Sequence, residues 1–411
     1  MALSTAPAPA APAPSGRRGA LLALLGVSLG HLLNDMQQSV LLSIYPLIKG
    51  PLGLSFAQIG LITLVFQLTA SLIQPFVGLY TDRHPQPYSL VAGACSTFAG
   101  IVLLATAHHF GVVLAAAALI GIGSSIFHPE ASRVARLASG GRFGLAQSIF
   151  QVGGNSGQAL GPLLVALIVV PHGQGHAAWF ALGAVVAAVV LARVGGWYGR
   201  HLAELRARPR TAPRAAHDLS GNAVLASLAA LIALMVADNF YAAAISSFFP
   251  FYLIDRFGIG VQAAQIHLFV FLAAAAAGTF LGGPLADRFG KKAVLTGVAF
   301  AVLPLTLLLP HVGLALTGPV SVLIGLVMGS AFPVIVVYAQ ELVPGRIGLI
   351  GGLFFGLAFG LGGIGAALLG WLADLTSIAA VYRFCAFLPI LGLAVAFLPD
   401  IDRARRRAVA G

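Results

Sequence analysis

Charge is scarce in this chain. Only 9% of its 411 residues are Asp, Glu, Lys or Arg, while 59% are hydrophobic. A soluble domain carries roughly 25% charged residues. So little polar surface cannot cover a water-soluble body, and lipid must cover it instead. Cysteine is nearly absent. Cys95 and Cys385 both sit in apolar runs, which excludes a disulfide framework and a thiolate metal site. No G-x-x-x-x-G-K-[ST] occurs, because Gly290-Lys291 is followed by Lys292. A P-loop and direct ATP drive are excluded with it. Nor is there an H-E-x-x-H, a G-x-S-x-G on a loop, or a Cys/His cluster. A membrane-embedded enzyme therefore has no convergent nucleophile, base or metal set. No cofactor and no metal are expected.

What is present is long apolar runs. A membrane span needs about 20 such residues. Twelve qualify, at 20–46, 55–80, 88–107, 111–137, 143–170, 177–198, 222–250, 261–286, 292–310, 313–341, 346–373 and 378–399. Breakers separate them, among them Pro51, Pro85, Pro87, Gly140, Pro171, Gly258, Pro310 and Pro344. Gly makes up 50 residues, and small residues let helices approach where water does not drive them together.

The net charge of +11 is not a nucleic-acid patch. With twelve spans, Lys and Arg fall on one side of the membrane except for Lys49, Arg256 and Arg383. Cationic loops stay cytoplasmic, so both termini are expected inside, in a multi-pass protein of the cytoplasmic (inner) membrane. Residues 1–19 read as a disordered Ala/Pro tail. A first six-helix bundle covers 20–198, a basic cytoplasmic linker 199–221, a second bundle 222–400, and a cytoplasmic tail 401–411. Arg17-Arg18 before an apolar run imitates a signal sequence. The run continues to Pro46 through Asn34 and Asp35, so it reads as an uncleaved span.

The two halves repeat. Asn34-Asp35 returns as Asp238-Asn239, Pro46 as Pro250, Phe127-His-Pro129 as Phe332-Pro333, and Arg142-Phe-Gly144 as Arg346-Ile-Gly348, all at an offset of about 204 residues. Gly78-Leu-Tyr-Thr-Asp82-Arg83 returns as Gly283-Pro-Leu-Ala-Asp287-Arg288. Duplicated halves with irregular residues at matching positions mark a secondary transporter. The fold class is an all-α membrane protein, with twelve transmembrane helices in two pseudo-symmetric six-helix bundles around a central cavity.

The stretch from Gly283 through Asp287-Arg288-Phe-Gly290-Lys291-Lys292 resembles the signature loop of the major facilitator superfamily. Its first copy continues instead as His84-Pro85-Gln86-Pro87. That form, with Phe127-His128-Pro129-Glu130 and Gln147-Ser-Ile-Phe-Gln151, resembles the fosmidomycin-resistance branch. The resemblance implies a gating role for Gly78, Asp82, Arg83, Gly283, Asp287, Arg288 and Gly290. An Asp at a helix end can face a neighbouring helix dipole in one conformation and lose it in another. Gly153, Gly157 and Gly161-Pro162 place a bare strip on one helical face before a proline bend. The strip resembles the superfamily's antiporter signature, although Leu163-Leu164 stand where its last glycines would be. Plain close packing is the other reading of it.

Ionisable residues at membrane depth are functional candidates. His31 and Asp35 lie four apart on one helical face. Burial and an imidazole neighbour act in opposite senses on a carboxyl, so this pair can bind and release a proton. Asp238 is the duplicated counterpart, and Glu130 is a further candidate, with Arg133 close enough to neutralise it. Asn34, Gln38, His128, Asn239 and Tyr241 are candidates for the cavity wall. Gln147, Gln151 and Asn155 follow one stripe, and amides facing lipid would go unsatisfied.

The expected function is proton-driven efflux by alternating access, with fosmidomycin-like antibiotics as the substrate hint that the resemblance supplies. A proton-coupled importer of a nutrient is the nearest rival. The expected partners are a small molecule, protons and lipid, with no nucleic acid, in a monomer.

Overall fold

In lipid the backbone must satisfy its own hydrogen bonds, so apolar runs of this length become helices. The computed structural model describes residues 17–139, 143–206, 220–343 and 347–401, and it is helical almost throughout. Eleven helices are long and apolar enough to cross a membrane, and Ser89–Ala105 is a shorter apolar helix in the third position. Together they account for the twelve runs. The helices are α1 (Arg17–Ser43), α2 in two pieces (Phe56–Leu72 and Gln74–Arg83), α3 (Ser89–Ala105) and α4 (Phe110–Ala138). There follow α5 (Phe143–Leu164), α6 (Phe180–Arg206), α7 (Gly221–Phe257), α8 (Val261–Phe289) and α9 (Lys291–Leu308). The last three are α10 in two pieces (Leu314–Gly329 and Ala331–Leu342), α11 (Ile347–Leu375) and α12 (Ile378–Cys385).

Three local departures from the apolar runs have physical reasons. The helix α6 continues to Arg206, into the stretch read as linker. No breaker occurs before Pro209, and a helix leaving the membrane tolerates charge. The final run is α-helical only to Cys385 and continues as a 3₁₀ segment, Leu388–Phe397. Pro389 lacks the N–H that an α-helix would use there. In α5, a π-helical turn, Val165–Val169, follows Pro162. Proline removes an intrahelical donor, and the chain widens next to it.

Apolar side chains also face outward. Leu21, Leu22, Leu25 and Phe280 are among the exposed ones, as a lipid-facing surface requires. Within the first half the closest packing is α1 against α5. Gly153 and Gly157 lie so near α1 that a Cβ on them would overlap the carbonyl oxygens of Ser28 and Leu32. Gly161 faces Ser39 as closely. At the α8–α9 turn, Gly290 has φ 93°, a conformation only glycine adopts freely. This residue makes the sharp reversal of the second signature loop.

The two halves meet on the side away from the termini. The Gln265 amide donates to Ser43 O at 2.7 Å and the Gln262 amide to Ala166 O at 3.2 Å. Thr63 Oγ1 and Ser247 Oγ lie 3.3 Å apart. Asp374, at the end of α11, accepts from the backbone N–H of Phe56 and Ala57 at 2.8 and 2.7 Å. It thereby caps α2 from the other half. Ser55 and Gln58 complete a capping box at the same helix start. An exposed carboxylate on a helix N-terminus stabilises by about 1 kcal/mol. Asp374→Ala is therefore expected to raise the population open on this side about fivefold. Pulsed dipolar distances between spin labels at positions 50 and 313 measure it. An unchanged distribution would show that the cap does not hold the halves together.

Candidate functional site

Between the halves lies a cavity of about 330 Å³, a volume that suits a small molecule. Its first-half wall comes from α1, α2, α4 and α5, including His31, Asp35, Gln38, Gln67, His128, Gln151, Asn155 and Gln158. Its second-half wall includes Asp238 and Asn239 of α7 and Phe359 of α11. The repeat-related acids of α1 and α7 thus line one space. No Arg or Lys is among the described lining residues.

Asp35 is the most heavily contacted group in this wall. Its Oδ1 accepts from Asn34 Nδ2 and Gln38 Nε2, both at 3.0 Å. Its Oδ2 accepts from Gln158 Nε2 at 3.3 Å. His31 Nε2 stands 3.4 Å from Oδ2, and His128 Nε2 stands 3.6 Å from Oδ1. The other nitrogen of each ring is anchored. His31 Nδ1 lies 2.8 Å from Phe150 O, and His128 Nδ1 lies 3.0 Å from Ser124 O. A carbonyl oxygen only accepts, so each Nδ1 carries a proton, and Ser124 Oγ, 3.2 Å from His128 Nδ1, shares that proton as a second acceptor. The His31 ring stacks on Phe150 at 4.1 Å. Phe359 meets the His128 ring at 5.7 Å from the opposite half. One ligand atom from each of His31, Asp35 and His128 lies within 4.8 Å of the others.

The other predicted residues separate into groups. Asp238 lines the cavity with no hydrogen bond or ion pair to the described residues. Asn239 donates to Met235 O at 2.9 Å. Asn34 reaches the site through Asp35. Tyr241 is buried in the core and does not line the cavity. Glu130 is fully buried and pairs with Arg133 at 2.9 Å. It too stands away from the cavity wall. Arg133 also reaches Gly78 O at 3.5 Å, which ties α4 to the first signature loop. In the second loop, Lys291 pairs with Glu341 of α10 at 3.1 Å. Arg288 lies over the Phe289 ring at 5.3 Å. Gly283 borders open space. The side chains of Asp82, Arg83, Gln147 and Asp287 lie outside the described ones. Arg142, Arg346 and most of the linker also fall outside the described residues.

Sequence reading missed Asp374, whose partners are more than 300 residues away in the chain. It also named His31, Asp35 and His128 without joining all three. The repeat gave no signal for that union, since the second half has no histidine at the matching places.

A cavity between two duplicated helical halves, with acids on both walls, is the plan of a secondary transporter. The Major Facilitator Superfamily model matches residues 27–366. The chain belongs to the major facilitator superfamily. It is 54% identical over 403 residues to the fosmidomycin resistance protein of Escherichia coli (strain K12), covering 97% of this chain and 99% of that protein. It is 45% identical over 386 residues to the uncharacterized MFS-type transporter YfnC of Bacillus subtilis (strain 168), covering 94% of each. Among solved structures it resembles the nucleoside transporter NupG, with TM-score 0.71, 13% identity, and 91% and 98% of the two chains covered. A bacterial homolog of the human lysosomal transporter Spinster, inward-facing and occupied, gives TM-score 0.68 at 17% identity, covering 94% and 96%. This superfamily member is a multi-pass membrane transporter of small molecules and not an enzyme.

Proposed function

We propose that this transporter exports a small anionic molecule, with fosmidomycin-type phosphonates as the first substrate class, in exchange for protons. The observation that carries the reading is the cavity between the halves, with Asp35 on one wall and Asp238 on the other, sealed on the side away from the termini. Identity of 54% to a fosmidomycin resistance protein supports the substrate class. The glycine strip along α5, with its likeness to the antiporter signature, supports exchange over import. Of the four proton-coupling candidates, Asp238 carries the proton. Asp35 is surrounded by three amides and two imidazoles, and Glu130 is tied to Arg133. The proposed units are the bundles 20–198 and 222–400 with the linker between them. Both termini face the cytoplasm of the inner membrane, so the cavity opens inward to collect substrate. One chain supplies both walls, so a monomer suffices.

The test uses membrane vesicles of both orientations. Everted vesicles with an acidic lumen are expected to accumulate the phosphonate, and a protonophore should abolish this. Trypsin should cut the linker in everted vesicles and spare it in right-side-out ones. Gradient-driven uptake by right-side-out vesicles alone would make the protein an importer and overturn the proposal.

A further inference from the structure

The two imidazoles stand long for hydrogen bonds to Asp35, which leaves a gap between the three groups. A charge-assisted N–H···O⁻ bond is about 2.7–2.9 Å long. Here His31 Nε2 stands 3.4 Å from Oδ2 and His128 Nε2 stands 3.6 Å from Oδ1. One ligand atom from each of the three residues lies within 4.8 Å of the others, wider than the ~3.3–3.4 Å between donors on one tetrahedral ion, so binding would draw the three together. Both Nδ1 atoms give their protons to backbone carbonyls. In the neutral rings, therefore, both Nε2 lone pairs point at a carboxylate. Lone pairs facing a carboxylate repel unless a cation lies among them.

We propose that His31, Asp35 and His128 form a binding site for one Zn²⁺-type divalent ion, whose fourth position opens to the cavity and takes the anionic group of the substrate. The ligand set is two imidazoles and a carboxylate, a donor mix suited to zinc and leaving an open position. The outer contacts are already in place. The carbonyls of Phe150 and Ser124 fix the two rings, and Asn34, Gln38 and Gln158 orient the carboxylate. Metal ligands are held in this way. Phe127, Phe150 and Phe359 pack against the rings with apolar surface.

The ion resolves a difficulty of charge. A phosphonate needs a cationic partner, and no Arg or Lys is among the described lining residues. A divalent ion on one carboxylate and two neutral imidazoles leaves a net charge of +1 at the wall. This second role rests on the export of an anion; the ion site itself does not.

The experiment is metal titration of the purified full-length protein, stripped with a chelator and held in detergent at constant pH. Calorimetry with Zn²⁺, and visible absorption with Co²⁺ as its spectroscopic stand-in, should each give one ion per chain. His128→Asn should weaken binding by at least ~100-fold, beyond the roughly 10–100-fold cost of losing an outer contact. His31→Asn should do the same, and Asp238→Asn should bind normally. Thermal melting of each variant shows that it is folded. Methylphosphonate should shift the Co²⁺ bands of the unsubstituted protein and leave those of a chelator complex unchanged. No stoichiometric binding, or unchanged binding by folded His128→Asn, overturns the site and assigns the gap to protons. Bands indifferent to methylphosphonate overturn the anion role. Loss of export in vesicles with intact metal binding would count against the functional reading alone.

Discussion

Asp238→Asn is expected to exchange substrate across the bilayer yet fail to accumulate it against a gradient. Asp238 lies on α7 at membrane depth and lines the cavity. It lacks the amide and imidazole partners that surround Asp35. A carboxylate at this depth must be neutralised as the protein changes state, by a proton or by a counter-ion. The variant keeps the size and the polar edge of the side chain, so substrate binding should persist. What disappears is the site proposed to carry the driving ion. One coupled proton is worth about 1.4 kcal/mol per pH unit, or roughly tenfold accumulation. In proteoliposomes with a one-unit pH gradient and the membrane potential clamped at zero, the accumulation ratio should fall from that level to about one. Substrate counterflow, which needs no gradient, should continue. Undiminished accumulation would move the coupling to another group. A parallel loss of counterflow would show that Asp238 binds substrate and does not merely carry the proton.

A second large effect is expected from one methyl group. Gly157→Ala would place a Cβ against the carbonyl oxygen of Leu32 and the backbone of Met36. Neither is a flexible side-chain end that could swing aside. The α1 and α5 helices would have to separate, and that interface orients His31, Asp35 and Gln158. Overpacking of this kind costs about 1–3 kcal/mol. Gly356→Ala in α11 is the matched control, since a Cβ there meets nothing within 4 Å. Melting of the purified variants should show Gly157→Ala destabilised and Gly356→Ala unchanged. Equal stability of the two would mean that the glycine strip is not a packing contact.

The helices were legible because lipid removes alternatives. Each apolar run had to satisfy its own backbone, and even the 17-residue helix Ser89–Ala105 fell within a predicted run. The pairing of His31 with Asp35 was legible too, since both lie on one face of one helix. His128 was not, because only the crossing of α1 and α4 brings its ring to Asp35. Tyr241 shows the limit of helical periodicity. Three residues from Asp238, it shares that side of α7 by count. A rotation of about 60° is enough to move it from the cavity wall into the core. Glu130 looked like a membrane carboxylate available for coupling, and Arg133 one turn later neutralises it. The cap by Asp374 was beyond any local pattern, since it joins the end of one half to a helix start in the other.

The π turn at Val165–Val169 bears on how chain length can vary in this family. A π turn holds one residue more than an α turn. Removing a single residue within it would restore α geometry and leave both flanks in phase. Upstream, the amides and glycines of α5 would keep their faces; downstream, the connection to α6 would keep its exit. The same deletion anywhere else in α5 would rotate everything after it by about 100°. A one-residue gap here is therefore structurally silent toward the cavity. Its cost falls on Ala166, whose carbonyl receives the Gln262 amide of the other half.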